Sequence, residues 1–247
     1  MRFRTLPLAL SAYALFFVTF VGLLLFVHDI GWSWGVGAAI CHGEQGCSLF
    51  VDLGLVALFG LQHSVMARPA FKRYWTRVIP EHLERTAYVV ASSVALIVLM
   101  LLWQPLPALV WDFGGPVADA VAIAVVLCGL VVLLWATFLT DHFELFGLRQ
   151  TYLHDRGVRW TPIPFKTSAL YRHVRHPMMS GMLLLLWATP RMSLGHLVLA
   201  CGFTVYILIG VYFEERGLLR ELGPDYARYR RTTPMLVPHP WRASAAD

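Results

Sequence analysis

The chain has 247 residues, 57% of them hydrophobic and only 14% charged, whereas a soluble domain carries about 25% charged residues. The net charge of +5 comes with no RNA- or DNA-binding motif. The four cysteines show no CxxC pair and no Cys/His metal spacing. An ordinary soluble fold is excluded, and neither a nucleic-acid partner nor a metal centre is expected.

Runs of roughly 17–25 apolar residues read as transmembrane helices. Leu8–Val27 is such a run and carries no charge. Its apolar core exceeds the roughly 7–15 residues of a signal peptide, so a retained helix is expected. Leu49–Ala67, Ala87–Trp103 and Val117–Leu139 follow. Met178–Pro190 is too short to span without help and pairs with Gly195–Tyr212 as a hairpin around "TPRMSLG". The expected fold is all-α: a polytopic integral membrane bundle of about six helices in a single domain, residues 1–247. Helices one to four fill residues 1–140. A cytoplasmic loop, the helical hairpin and a C-terminal strap fill 141–247.

Of the 20 Lys and Arg, all but Arg191 fall on one side of this topology. The positive-inside rule makes that side cytoplasmic and puts both termini there. Contact with an anionic inner leaflet accounts for the basic balance. Cys41 and Cys47 share the opposite loop, "CHGEQGC", where a periplasmic setting would allow a disulfide. No obligate protein partner is expected beyond membrane lipids.

Polar groups at membrane depth are costly and point to function. His63, near the cytoplasmic end of the second run, is either an interfacial imidazole bonded to a neighbouring helix or a proton acceptor. Asp141 and Glu144 lie three apart in "TDHFELFG", on one helical face. Both are expected at a helix C-terminus, where the macrodipole disfavours acids. Paired arginines would explain them; alternatively Asp141 and His142 line a catalytic pocket, as orienting group and base. Glu214 and Glu215 are likewise expected at a helix C-terminus. Tyr226 and Tyr229 share a face if helical, and Pro234 and Pro238 enforce an extended strap.

The order Y-R-x-x-R-H-P-x-x-x-G, apolar hairpin, E-E-x-x-L, G-x-x-Y-x-x-Y, P-x-x-x-P, from about 165 to 238, resembles the integral-membrane methyltransferase superfamily that includes isoprenylcysteine carboxyl methyltransferase and phospholipid methyltransferases. Relatives often carry Tyr where this chain has Met179. Upstream, "LFGLQHSVMARPAFKRYWTRVIPEHLERTAYV" and "DHFELFGLRQTYL" resemble the branch holding bacterial methanethiol S-methyltransferase and NnrU-type proteins.

The resemblance implies a bacterial inner-membrane enzyme binding S-adenosyl-L-methionine at the cytoplasmic ends of the last two helices. Arg172, His173, Arg175 and His176 would then supply donors for its carboxylate, beside Tyr171. Pro177 suits a first helical turn, whose free N–H groups also favour an anion. Gly181 permits close approach of backbone or ligand. Glu214 or Glu215 would take the ammonium or ribose hydroxyls, and Tyr226 and Tyr229 would flank the adenine. The acceptor would be a small thiol, methanethiol first, making dimethyl sulfide. An alkyl thiol with a pKa of about 10 costs roughly 4 kcal/mol to ionise at pH 7, so a base is needed; His63, Asp141 and His142 are the candidates. Two alternatives stand beside this: a larger lipid or prenyl-thiol acceptor, favoured by a lateral opening between helices, and a non-enzymatic NnrU-type membrane protein.

Overall fold

The structure is a computed structural model and describes residues 4–28, 38–161, 167 and 169–238. In chain order, helices α1 (Leu6–Val27), α2 (Ala38–Cys41), α3 (Gln45–Ala67), α4 (Pro69–Trp75) and α5 (Glu84–Leu102) lead to strand β1 (Leu109–Asp112). Helices α6 (Pro116–Leu139), α7 (His142–Leu145), α8 (Leu148–Asp155) and α9 (Pro177–Trp187) follow, then strand β2 (Arg191–Ser193), α10 (Leu194–Leu222) and α11 (Pro224–Thr232). Among the described residues, five helices are long and apolar enough to cross a membrane: α1, α3, the α5 segment, α6 and α10. The expected fifth crossing is not one of them. Its 11 residues rise about 16 Å against a hydrocarbon core of about 30 Å.

Among the described residues the helices are accompanied by one small sheet, which the hydrophobic pattern did not foretell. β1 and β2 pair antiparallel, Trp111 opposite Met192 and Asp112 opposite Arg191. Cys41 and Cys47 are joined in a disulfide, their Cα atoms 5.6 Å apart.

The chain forms two compact units: Met1–Asp112, Asp141–Ile163 and Arg191–Gly202 make the first, and Phe113–Thr140, Pro164–Pro190 and Phe203–Asp247 the second. In the first, α1 and α3 pack on α5, and Ala12, Val89 and Phe146 form a buried apolar cluster. The Asp155 carboxylate accepts from the N–H groups of Thr5 and Leu6 (3.0 and 2.9 Å) and the Thr5 hydroxyl (2.8 Å). It thereby caps α1 from α8, satisfying donors that a helix start leaves open. Burial raises the Asp155 pKa, but these hydrogen bonds lower it more, so the carboxyl sits below its ordinary range.

In the second unit, α6 and α9 touch backbone to backbone. A Cβ on Gly181 would lie 2.7 Å from the Gly129 carbonyl oxygen and 2.8 Å from Leu133 N; one on Gly129 would lie 2.9 Å from Leu184 Cβ. Small residues allow such approach between membrane helices, where van der Waals packing drives association. From the C-terminal end of α9, Trp187 Nε1 donates to Thr204 Oγ1 on α10 (3.0 Å).

Candidate active site

The segment 171–177 meets the C-terminal strap before entering α9. The N–H groups of Arg175 and His176 donate to the carbonyls of Pro234 and Met235 (2.9 and 3.1 Å). One turn on, the Ser180 hydroxyl donates to the Leu236 carbonyl (2.6 Å). Pro234 favours this extended course because its ring fixes φ and it has no N–H of its own. Two of the donors before α9 are thus held by protein, while Met178 and Met179 carry the N–H groups that follow Pro177 in the first turn.

Glu215 lies at the centre of the cluster. Its Oε1 accepts from Arg175 Nε at 2.7 Å and lies 3.2 Å from His176 Nε2, and its Oε2 is 3.0 Å from Arg230 Nε. Arg175 also donates to the carbonyls of Arg230 (2.9 Å) and Thr233. Both side chains of the Arg175–Glu215 pair are buried, 9% and 7% exposed. Charges removed from water in this way are tolerated when paired and hydrogen-bonded. Glu214 is different: its side chain is 51% exposed, with Oε2 3.6 Å from His176 Nδ1. Arg172 and His173 are also exposed.

The acids are not at a helix end. α10 continues to Leu222, about two turns further, so the macrodipole does not bear on them as the sequence suggested. Gly223 (φ 58°) then breaks the helix, as a residue in a positive-φ conformation commonly does after a C-cap.

Three phenols close the cluster. Tyr226 is 2% exposed, and its ring meets Tyr229 edge-on at 5.8 Å. Tyr229 donates to the Tyr171 carbonyl (2.6 Å). Burial, with the Glu214 charge, pushes Tyr171 to about 12 against a hydrogen bond with Thr140. Burial and Glu215 push Tyr226 to about 12. Burial and the other two phenols raise Tyr229 as well. All three are neutral at physiological pH. Pro177 and Gly181 are buried, Gly181 against α6.

The other candidates belong to the first unit and occupy separate settings. His63 Nδ1 lies 2.9 Å from Ser92 Oγ between α3 and α5, its ring against Tyr88 and Phe59. His142 is 3% exposed, with Nε2 2.5 Å from the Tyr13 hydroxyl of α1. Burial lowers the His142 pKa, Asp141 opposing, so the ring is neutral at pH 7.

Asp141 does not close α6. α6 ends at Leu139, and Asp141, at φ 69°, caps α7 by accepting from Glu144 N (3.0 Å). An acid is favourable there because it faces a helix N-terminus, which reverses the dipole expectation. Arg149 pairs with Glu144 and lies 3.8 Å from Asp141, so the paired-arginine explanation of these acids holds.

Sequence reading missed Tyr13, Ser92, Arg230 and the strap carbonyls. Tyr13 had a usable signal, a lone phenol in a charge-free span. Arg230 sat unremarked in a basic run.

Comparison with known proteins covers nearly the whole of this arrangement. The family described as "NnrU protein" matches residues 53–242, which include every candidate residue. The chain belongs to the NnrU family. This NnrU-family chain is 44% identical to a methanethiol S-methyltransferase of Mycobacterium tuberculosis, over 98% of both chains. It is also 44% identical to methanethiol S-methyltransferase 2 of Bradyrhizobium diazoefficiens, over 96% of this chain and 91% of that one. A Nurim of Xenopus laevis is 35% identical over 68% of this chain and 62% of its own. No solved structure matches significantly.

Proposed function

We propose that this NnrU-family protein transfers a methyl group from S-adenosylmethionine to methanethiol, forming dimethyl sulfide in a bacterial inner membrane. The observation that carries this is identity of 44% over 98% of a named methanethiol S-methyltransferase. The site fits the donor. Half-exposed Glu214, 3.6 Å from His176, offers an acid for an ammonium or ribose, and exposed Arg172 and His173 offer donors for a carboxylate. Glu215, Arg175 and His176 position this surface rather than facing ligand. The donor, when bound, supplies an electrophilic methyl on a sulfonium.

The thiol must lose its proton. Even the cysteine reference pKa of about 8.5 implies a cost of about 2 kcal/mol at pH 7, and simple alkyl thiols cost more. His142 and His63 are the candidates to accept that proton. Asp141 is committed to capping α7 and facing Arg149. The arginine-rich side then faces the cytoplasm, and the Cys41–Cys47 loop faces an oxidising compartment.

The test is purified protein in nanodiscs with methyl-labelled S-adenosylmethionine and methanethiol. Labelled dimethyl sulfide is expected, with sharp loss in Glu214→Gln and His142→Gln. Absence of labelled product from the wild type refutes the reading.

A further inference from the structure

α6 and α9 border an apolar groove of about 800 Å³ within the second unit. Val125, Cys128, Leu183, Leu184 and Trp187 line it, together with His173 and Ser180. Leu236, Val237 and Pro238 of the strap also wall it. The strap is bonded through Pro234, Met235 and Leu236 to Arg175, His176 and Ser180. Groove and ionic cluster therefore share one wall and one helix start. Volumes of about 300–1,000 Å³ suit drug-sized ligands, and methanethiol, one carbon on one sulfur, fills little of such a space.

We propose that this groove receives the hydrocarbon chain of the acceptor, so that the protein methylates apolar alkanethiols as a class and methanethiol is its smallest member. The inference rests on the methyl-transfer reading above and extends its substrate range. For each acceptor the thiol proton goes to a protein base. The thiolate sulfur forms a bond to the donor's methyl carbon, and the broken carbon–sulfur bond leaves its electron pair on the former sulfonium sulfur. The products are a methyl alkyl sulfide, S-adenosylhomocysteine and one proton. Thiols with charged groups, such as cysteine or glutathione, are excluded, because an apolar wall offers those charges nothing in exchange for water.

Two experiments decide it. In nanodiscs, initial rates are measured with methanethiol, butanethiol and octanethiol for the wild type, Ala122→Phe and Val125→Phe. Both substitutions narrow the groove from α6, away from the ionic cluster, and unfolding midpoints verify that they fold. Octanethiol turnover is expected in the wild type. The variants should lose at least about tenfold with octanethiol, the scale of a pocket misfit, while methanethiol changes by less than about twofold, as for a substitution off the site. Separately, methyl octyl sulfide should slow modification of Cys128 by a lipophilic maleimide and leave Cys201 unaffected, both thiols being exposed; dimethyl sulfide should protect neither. Turnover of methanethiol without octanethiol, octanethiol turnover indifferent to both variants, or no protection of Cys128 overturns the inference while methyl transfer stands. Methylation of no thiol at all refutes both.

Discussion

Glu215→Gln removes one charge from a buried knot and should open the strap. Glu215 faces Arg175 at 2.7 Å, Arg230 at 3.0 Å and His176 at 3.2 Å. The Arg175 pair is buried on both sides, so losing one partner falls in the class that costs about 3–5 kcal/mol. Arg230 is 50% exposed, and its share is screened to about 0–1 kcal/mol. Glutamine keeps the shape and one accepting oxygen, which places the loss at the low end, about 3 kcal/mol. Tryptophan fluorescence should show a clear fall in unfolding midpoint, and trypsin should cut faster around Arg230 and Arg231.

The control is one residue away. Glu214→Gln should change stability by less than about 0.5 kcal/mol, as exposed substitutions do, yet weaken S-adenosylmethionine binding by calorimetry. An unchanged midpoint for Glu215→Gln, or equal destabilisation by both variants, refutes the division between a structural and a ligand-facing acid.

Gly181→Ala should destabilise by about 1–3 kcal/mol through overpacking, since its Cβ would sit 2.7 Å from the Gly129 carbonyl; thermal unfolding checks it, and a neutral result means α6 and α9 yield easily. Tyr171 and Tyr226 have folded-state pKa values of about 12 against an ordinary 10. The fold favours their neutral form, so this contribution is complete below pH 10 and disappears as pH rises toward 12. Tyrosinate absorbance should therefore rise together with loss of strap structure, and titration near 10 in an intact fold contradicts it. Asp155→Ala should speed hydrogen exchange at the start of α1, where Asp155 holds Thr5 and Leu6. In the wild type the depressed Asp155 pKa makes that cap complete above the usual carboxylate range, and it is lost as pH falls through the folded value.

The spanning helices were legible because lipid demands long apolar runs whose backbone bonds close internally. The ends of those helices were not. The continuous apolar run stops at the membrane surface, but α10 runs on to Leu222 through a charged stretch in which only Leu218, Leu219 and Leu222 keep a helical spacing. Asp141 misled in the opposite direction: its left-handed backbone separates α6 from α7, and nothing in composition distinguishes an acid ending one helix from an acid starting the next. The basic segment before α9 was found from sequence, whereas its partners were not. The strap reaches it through main-chain carbonyls at Pro234 and Met235, which leave no trace in side-chain pattern.

The twin acids show how far a short motif can be read physically. Successive residues on an α-helix point about 100° apart, since 3.6 residues make a turn. Glu214 and Glu215 therefore cannot both face one ligand with the same geometry. One must turn inward, where it needs cations to offset its desolvation, and Arg175, Arg230 and His176 supply them. The other remains half-exposed beside the same histidine, and the inner ionic knot holds the helix that presents it. The doubled glutamate thus supplies, at neighbouring positions, a group that fixes α9, α10 and the strap together and a group left half-exposed at the surface.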